Sequence, residues 1–461
     1  MAARKDHQRR RGASNEATGA RLVSPARRAA SEILRRVEEE GAFASVLLAE
    51  TLEELRADDR ALCYELVLGV LRRQLWLDHL ISHYAARPLE RLDAPVRRAL
   101  RLGLYQLRFL SRIPARAVVN EAVNLAHISR VRSAAPFINA VLRRAIKEPR
   151  YDPAERIAEP LARLCVETSH PLWLIERWTR AFGPEVAEAF ARANNEPPPV
   201  AFRIVRARAQ GRDVLEELRA AGGELVPSLL VPEAWRVGGA GPLLRELARA
   251  GVVYLQDEAS QLAAHLLDVQ AGERVLDACA APGSKTSYIA DRSGGAATVY
   301  AGDLYEHRLR TLLESAARQG ARVPGVIVYD ATRALPFAGG SFDRVLVDAP
   351  CTGTGTLRRN PEIRWRIRPS DIAELSVRQR AILANAAKTL RERGRLIYST
   401  CSVEPEENEA IVASFLEEQG AFRQVAVAVP EHLRAGKLAA RTWPQRDGAD
   451  GFFIAAFERR S

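Results

Sequence analysis

The chain has 461 residues, 47% of them hydrophobic, and a formal net charge of +11, so it is too long for one ordinary domain and apolar enough to bury several cores. No apolar run approaches the roughly 18 residues of a membrane span, and the polar, arginine-rich start is unlike a secretion signal, which excludes insertion and export and points to a cytoplasmic chain. Five scattered cysteines (Cys63, Cys165, Cys279, Cys351, Cys401) form no CxxC and no histidine pairing, against a disulfide framework or a zinc site; the positive charge suits a polyanion without deciding for nucleic acid.

In chain order, residues 1–21, "MAARKDHQRRRGASNEATGA" and one more, lack apolar periodicity and read as a disordered basic tail, a solvated arm, an RNA contact or a transit peptide. At Ser24-Pro25 a cap precedes a first-turn proline. Apolar residues then recur at spacings of three and four (Ala30, Ile33, Leu34, Val37; Leu62, Leu66, Val70; Val96, Leu100, Leu104), predicting an all-helical domain over 22–150. Residues 151–250 contain a proline-rich break, strand-like runs at 200–205 and 224–231 and a helix at 213–221, which predict a small α+β connector. From 251 to 461 the β-rich runs "RVLDA", "TVYAGD", "GVIVYD", "RVLVDA" and "RLIYST" alternate with helical stretches, and "GFFIAAFERR" adds a last strand. This pattern predicts a Rossmann-like α/β domain with a mostly parallel, seven-stranded sheet.

Each of the five runs ends in a residue with useful chemistry: Asp277, Asp303, Asp330, Asp348 and the segment holding Cys401. Open α/β sheets bind ligands beyond the carboxyl ends of their strands. Any one aspartate could simply cap a turn, but five in succession predict a site. After the first strand, "DACAAPGSKT" makes a small-residue turn that opens a helix, so Cys279, Ala280, Ala281, Pro282, Gly283, Ser284 and Lys285 are candidate cofactor residues. Asp303, twenty residues past Gly283, suits ribose hydroxyls, and Asp330 the neighbourhood of an adenine. The loop is neither GxxxxGK[ST] nor GxGxxG, which favours a nucleoside with little phosphate, such as S-adenosylmethionine.

A methyl donor needs an acceptor. The segment after the fourth strand is Asp348-Ala349-Pro350-Cys351 rather than the Asp/Asn-Pro-Pro-aromatic pattern of amino-group methylation. Carbon 5 of cytosine is a poor nucleophile until a thiolate adds to C6, N3 is protonated, and a base later removes the C5 proton. A cysteine is then required, and Asp348 can serve N3 as well as border the cofactor.

The motifs "DACAAPGSKT", "DAPCTGTGTLRRNPEIRW" and "YSTCSVEPEENE" resemble the Sun-type RNA cytosine-C5 methyltransferases. That resemblance implies Cys401 as nucleophile and Cys351 as the residue assisting product release, whereas DNA cytosine methyltransferases use the Pro-Cys cysteine. "VVNEAVNLAH" and "APFINAVLRRAI" resemble a NusB-type helical RNA-binding module, and its fusion to this catalytic domain is similar to the bacterial 16S rRNA methyltransferases of the family. The resemblance implies 16S ribosomal RNA as partner and S-adenosylmethionine as cofactor, with no metal and no obligate protein partner, in a monomer. Ser284 stands where the family usually has glycine, and Val205 where it has asparagine. Alternatives are a tRNA methyltransferase of the same chemistry and a non-catalytic RNA-binding assembly factor. Cys63 and Cys165 read as core residues, and Cys279 as packed behind the cofactor loop. The run Arg358, Arg359, Arg364, Trp365 and Arg366 reads as either a grip on RNA or a solvated helix start.

Overall fold

The computed structural model describes residues 23–461, so the predicted tail lies outside the described residues. Two compact units divide the chain: one contains the described residues up to Glu196 together with Leu357–Arg366, the other Pro197–Thr356 and Ile367–Ser461.

The first unit is helical: α1 (Pro25–Glu39), α2 (Ala44–Thr51), α3 (Ala57–Arg72), α4 (Gln74–Ala85), α5 (Ala94–Phe109), α6 (Ala115–Ile128), α7 (Ala135–Lys147), α8 (Pro160–Thr168), α9 (Leu172–Phe182) and α10 (Pro184–Ala193). The three-and-four spacing of the sequence is what buries Ile33, Leu34 and Val37 of α1 with Leu66 and Val70 of α3 and Leu100 and Leu104 of α5. Helices α8 to α10 extend this unit beyond residue 150, so by packing the predicted connector is divided at Glu196.

The excursion Leu357–Arg366 corrects the reading of its arginines. Arg364 is completely buried in the helical unit. Its guanidinium donates to the carbonyls of Thr168 and Ser169 (3.2 and 3.1 Å), to Asn195 Oδ1 (2.9 Å) and to the Asn194 carbonyl (3.3 Å). These carbonyls lie at the C-terminal ends of α8 and α10, where helix dipoles favour a cation. Burial, with Arg72 and Arg73 nearby, pulls its pKa down to about 9. Arg358 is buried too, and Arg366 is held on the carbonyls of Val37, Gly41 and Ala42. Arg364 is an internal fastener, and Arg366 anchors the end of the excursion on backbone carbonyls.

The second unit begins with an antiparallel sheet, β1 (Val200–Ile204), β2 (Glu224–Pro227), β3 (Ala234–Gly238) and β4 (Val253–Leu255), in the order β2-β3-β1-β4. Helices α11 (Val214–Ala220) and α12 (Gly241–Arg249) cover it through Val214, Leu218, Leu244 and Leu247. After α13 (Glu258–His265) come β5 (Arg274–Asp277), α14 (Ser284–Arg292), β6 (Thr298–Asp303), α15 (Glu306–Gln319), β7 (Gly325–Val328), β8 (Phe342–Asp348), α16 (Pro369–Lys388), β9 (Leu390–Thr400), α17 (Glu409–Glu418), β10 (Phe422–Val425), β11 (Arg434–Ala435), β12 (Ala439–Arg441) and β13 (Phe453–Arg459).

Strands β7-β6-β5-β8-β9 run parallel and β13 adds antiparallel to β9, with β10 pairing the far half of β13. Six of these are the runs read from the sequence, and β10 is a seventh that no run had marked. The sheet has nine, because the β11–β12 hairpin pairs with the first half of β13. Side chains alternate between its faces: Leu346 and Ile397 enter one core, and Val345, Val347, Leu396 and Tyr398 the other. The order turns between β5 and β8, the position at which such sheets open a crevice.

Candidate active site

The expected residues meet at the carboxyl ends of the parallel strands. Asp277, Asp303, Asp348 and Thr400 are the last residues of β5, β6, β8 and β9, and Asp330 lies two past the end of β7.

The loop of residues 278–283 connects β5 to α14. Ala280 N–H donates to the Gly302 carbonyl (2.8 Å), tying it to β6. Gly283 caps α14 at a φ of +100°, and a Cβ there would stand 2.6 Å from the Leu312 side chain, so both backbone and space demand glycine. Ser284 starts the helix without strain, and Cys279 packs beneath the loop against the core.

The carboxylates differ in what holds them. Asp303 is buried, with Oδ2 accepting Ala281 N–H (3.2 Å), Oδ1 accepting Tyr305 N–H (3.1 Å) and Arg308 3.5 Å away. Each oxygen keeps a lone pair for a ribose hydroxyl. Asp330 is half-buried and accepts from the Thr332 hydroxyl and amide, which hold its pKa below the usual carboxylate value. Asp348 accepts from Lys285 Nζ (2.5 Å) and Ser399 Oγ (2.8 Å). Burial opposes the charge of Lys285, but Asp348 outweighs it and raises the lysine pKa; the Cys401 sulfur is close enough to contribute in the same direction.

Asp277 went unselected among the sequence-predicted cofactor residues. It is 1% exposed; Oδ2 accepts from Thr286 Oγ1 (2.7 Å), while the buried Oδ1 has no partner. Burial, with Asp348 nearby, pushes its pKa up to about 7. A buried carboxylate oxygen without a partner, beside a glycine-dependent loop, fits a ligand that brings a cation or an N–H donor, as S-adenosylmethionine does.

Cys351 Sγ and Cys401 Sγ lie 3.4 Å apart and unbonded. Contact with Cys401 and burial push the Cys351 thiol well above its ordinary pKa, which keeps it protonated. The two loops are laced together beneath the sulfurs. Gly355 N–H donates to the Cys401 carbonyl (2.9 Å) and Gly451 N–H to the Gly355 carbonyl (2.8 Å). Buried Glu407 accepts from Thr352 N–H (2.9 Å), the Thr352 hydroxyl and Gln379 Nε2 (2.9 Å). Ser402 Oγ meets the hydroxyls of Thr352 and Thr354 (3.1 and 3.2 Å), and Asn408 joins Thr400 to the Ser402 carbonyl. Sequence reasoning quoted "EPEENE" as a motif but gave Glu407 and Asn408 no task; a carboxylate and an amide soon after a catalytic strand end were the available signal.

Three family descriptions match in succession: NusB family over residues 24–147, a ferredoxin-like domain of RsmF/B-like methyltransferases over 170–244, and 16S rRNA methyltransferase RsmB/F over 264–458. The probable ribosomal RNA small subunit methyltransferase B of Bacillus subtilis (strain 168) is 34% identical over 443 residues, covering 94% of this chain and 98% of the relative. The ribosomal RNA small subunit methyltransferase B of Pseudomonas putida is 36% identical over 415 residues, covering 88% and 92%. This chain belongs to the RsmB/F family of 16S rRNA methyltransferases. The solved structure of PH0851 superposes with a TM-score of 0.82 at 29% identity, covering 95% of this chain and 99% of that one. In this family's terms the helical domain is the NusB-like part and the large sheet the Rossmann-like methyltransferase. Among the described residues no helix is long and apolar enough to cross a membrane, and no cluster of His, Cys, Asp and Glu could hold a metal ion.

Proposed function

We propose that the protein transfers a methyl group from S-adenosylmethionine to C5 of a cytosine in 16S ribosomal RNA through a covalent adduct between Cys401 and C6. The observation that carries this reading is the pair of free sulfurs 3.4 Å apart beside the Lys285–Asp348 ion pair. A site for nitrogen methylation has no use for two thiols. The cofactor supplies an electrophilic methyl group when bound. Residues 279–285 and Asp303 would hold it, with Asp277 Oδ1 available to its positive charge and Asp330 to its adenine.

Cys401, near the Lys285 ammonium, adds as thiolate to C6, and electrons of the C5–C6 bond become available at C5. Asp348 faces N3. Asp348, held by Lys285 Nζ and Ser399 Oγ, receives the proton that leaves the Cys401 thiol and passes it to N3. After C5 is alkylated, the Asp348 carboxylate, having given its proton to N3, accepts the C5 proton, the C6–sulfur bond breaks as the C5–C6 double bond reforms, the N3 proton returns to the departing Cys401 thiolate, and the protonated Cys351 thiol, one sulfur contact away, steadies that thiolate. The target base has to leave its stack to reach the sulfurs. The helical domain supplies RNA binding.

The test is to incubate Cys401→Ala and Cys351→Ala with target RNA and S-adenosylmethionine, then run a denaturing gel. Cys401→Ala is expected to lose methylation and any adduct; Cys351→Ala is expected to accumulate an RNase-sensitive, retarded protein–RNA band. A trapped band from Cys401→Ala and none from Cys351→Ala would move the nucleophile to the Pro-Cys motif. Bisulfite sequencing of ribosomal and transfer RNA from a deletion strain checks the substrate: one 16S cytosine should lose protection, and a change confined to transfer RNA would overturn that part.

A further inference from the structure

The helical domain contains a cavity of about 310 Å³ that the methyl-transfer chemistry does not use. Leu34 and Val37 of α1 and Val70 and Leu71 of α3 form its apolar walls, and Trp365 and Glu362 from the Leu357–Arg366 excursion complete it. Its size is at the lower end of ligand pockets, enough for one flat ring system. The Trp365 indole is held by its Nε1, which donates to the Leu71 carbonyl (3.4 Å). Glu362 is 1% exposed; Oε1 accepts Ala44 N–H (2.8 Å) at the start of α2, and Oε2 is buried without a hydrogen-bond partner.

From these features we infer that the cavity receives one unpaired nucleobase of the RNA substrate, an adenine, guanine or cytosine, whose exocyclic amino group donates to Glu362 Oε2. A purely apolar occupant would leave that oxygen unpaired. A cationic one would meet Arg366, which also borders the cavity, while Glu38, the other carboxylate there, is already paired with Arg97 and Arg98. A neutral planar ring with an N–H donor satisfies both conditions and packs against the indole, as single-stranded bases do on aromatic side chains. Arg366 donates only to backbone carbonyls, so its charge remains available to an adjoining phosphate. Uracil's one edge donor, N3–H, is flanked by two carbonyl oxygens that would face the Glu362 carboxylate, so uracil should be disfavoured.

The inference rests on the protein acting on RNA, and the experiment separates the two. Fluorescein-labelled octamers of adenylate and of uridylate are titrated with the full chain and read by anisotropy, with thermal melting of each variant as the folding control. The wild type should bind the adenylate about tenfold more tightly. Glu362→Gln keeps an acceptor for Ala44 N–H and puts a donor where Oε2 was, so the preference should shrink or reverse. Trp365→Leu should weaken both octamers about tenfold with their ratio unchanged, and Val70→Phe, which fills the cavity without touching Glu362, should abolish the preference. A native-melting Glu362→Gln or Val70→Phe with the wild-type ratio would overturn the pocket, as would a wild type that binds both octamers equally. Failure to bind any RNA, target RNA included, would overturn the proposed function instead.

Discussion

Two neighbouring parts of the catalytic domain treat their polar groups in opposite ways. The loops bearing Cys351 and Cys401 bond Thr352, Thr354, Ser402, Glu407 and Asn408 to one another, leaving only the outlying Gln379 Oε1 of their surroundings unmet, whereas on the cofactor side Asp277, the last residue of β5, keeps a buried Oδ1 without a hydrogen-bond partner. Satisfied buried networks rigidify, and unsatisfied groups cost stability until something binds. The thiols are therefore set in place before substrate arrives, while the cofactor side retains an interaction that only a ligand can complete.

The strongest blow to the preset side is Gly355→Ala. A Cβ would fall 1.9 Å from the Gly451 carbonyl oxygen and 2.9 Å from that of Cys401, both backbone atoms, so the loops must part. Methyl transfer should fall by about 100-fold or more, with about 1 to 3 kcal/mol of stability lost; single-turnover kinetics and denaturant melts check both, and wild-type turnover would mean the thiols need no such alignment.

On the ligand-dependent side, Asp277→Asn should change how stability depends on pH. The Asp277 pKa is raised when folded, so its contribution is most favourable below about pH 4, the unfolded value, and is lost as pH rises through about 7. Without cofactor, the asparagine variant should gain on the wild type across that window, by at most on the order of 4 kcal/mol at pH 8. Parallel melting curves at pH 4 and pH 8 would show that Asp277 carries no such penalty.

Asp303→Ala should weaken S-adenosylmethionine by on the order of 2 to 4 kcal/mol, removing a ribose acceptor and freeing the Ala281 amide together. Unchanged affinity in calorimetric titration would sink that role. The mildest expected effect is that of Glu407→Gln, which keeps the shape but exchanges one acceptor for a donor facing Thr352 or Gln379. About 1 to 2 kcal/mol of stability should go, with the turnover number falling more than the Michaelis constant rises; a loss of stability with unaltered turnover would make the network a matter of folding alone.

Much of this could be read in the sequence. Period-two and period-three-and-four apolar patterns are local, so the parallel strands and the helices from Pro25 onward were predictable, and the last residues of β5, β6, β8 and β9 follow from where their apolar runs stop, while β7 stops at Val328, two residues before Asp330. The β11–β12 hairpin was not, because strands of two and three residues carry no pattern. Nor was the burial of Arg358 and Arg364. An arginine run reads as solvent-facing unless one knows that helix ends from residues 168 to 195 gather around it, and that is tertiary information. Glu407 escaped for the same reason: its three donors come from Thr352 and Gln379, distant in the chain.

The anchoring of Trp365 and Arg366 also bears on inheritance. Because Leu357–Arg366 leaves the methyltransferase sequence and folds among the helices, the NusB-like part is not a cassette that recombination could remove at one junction. A lineage that lost it would retain an Arg366 guanidinium shorn of the Val37, Gly41 and Ala42 carbonyls and a Trp365 indole without its apolar surroundings, immediately downstream of the Pro-Cys loop. Loss of the helical domain and remodelling of these ten residues would have to occur together, so the fusion, once made, is held in place by its own insertion.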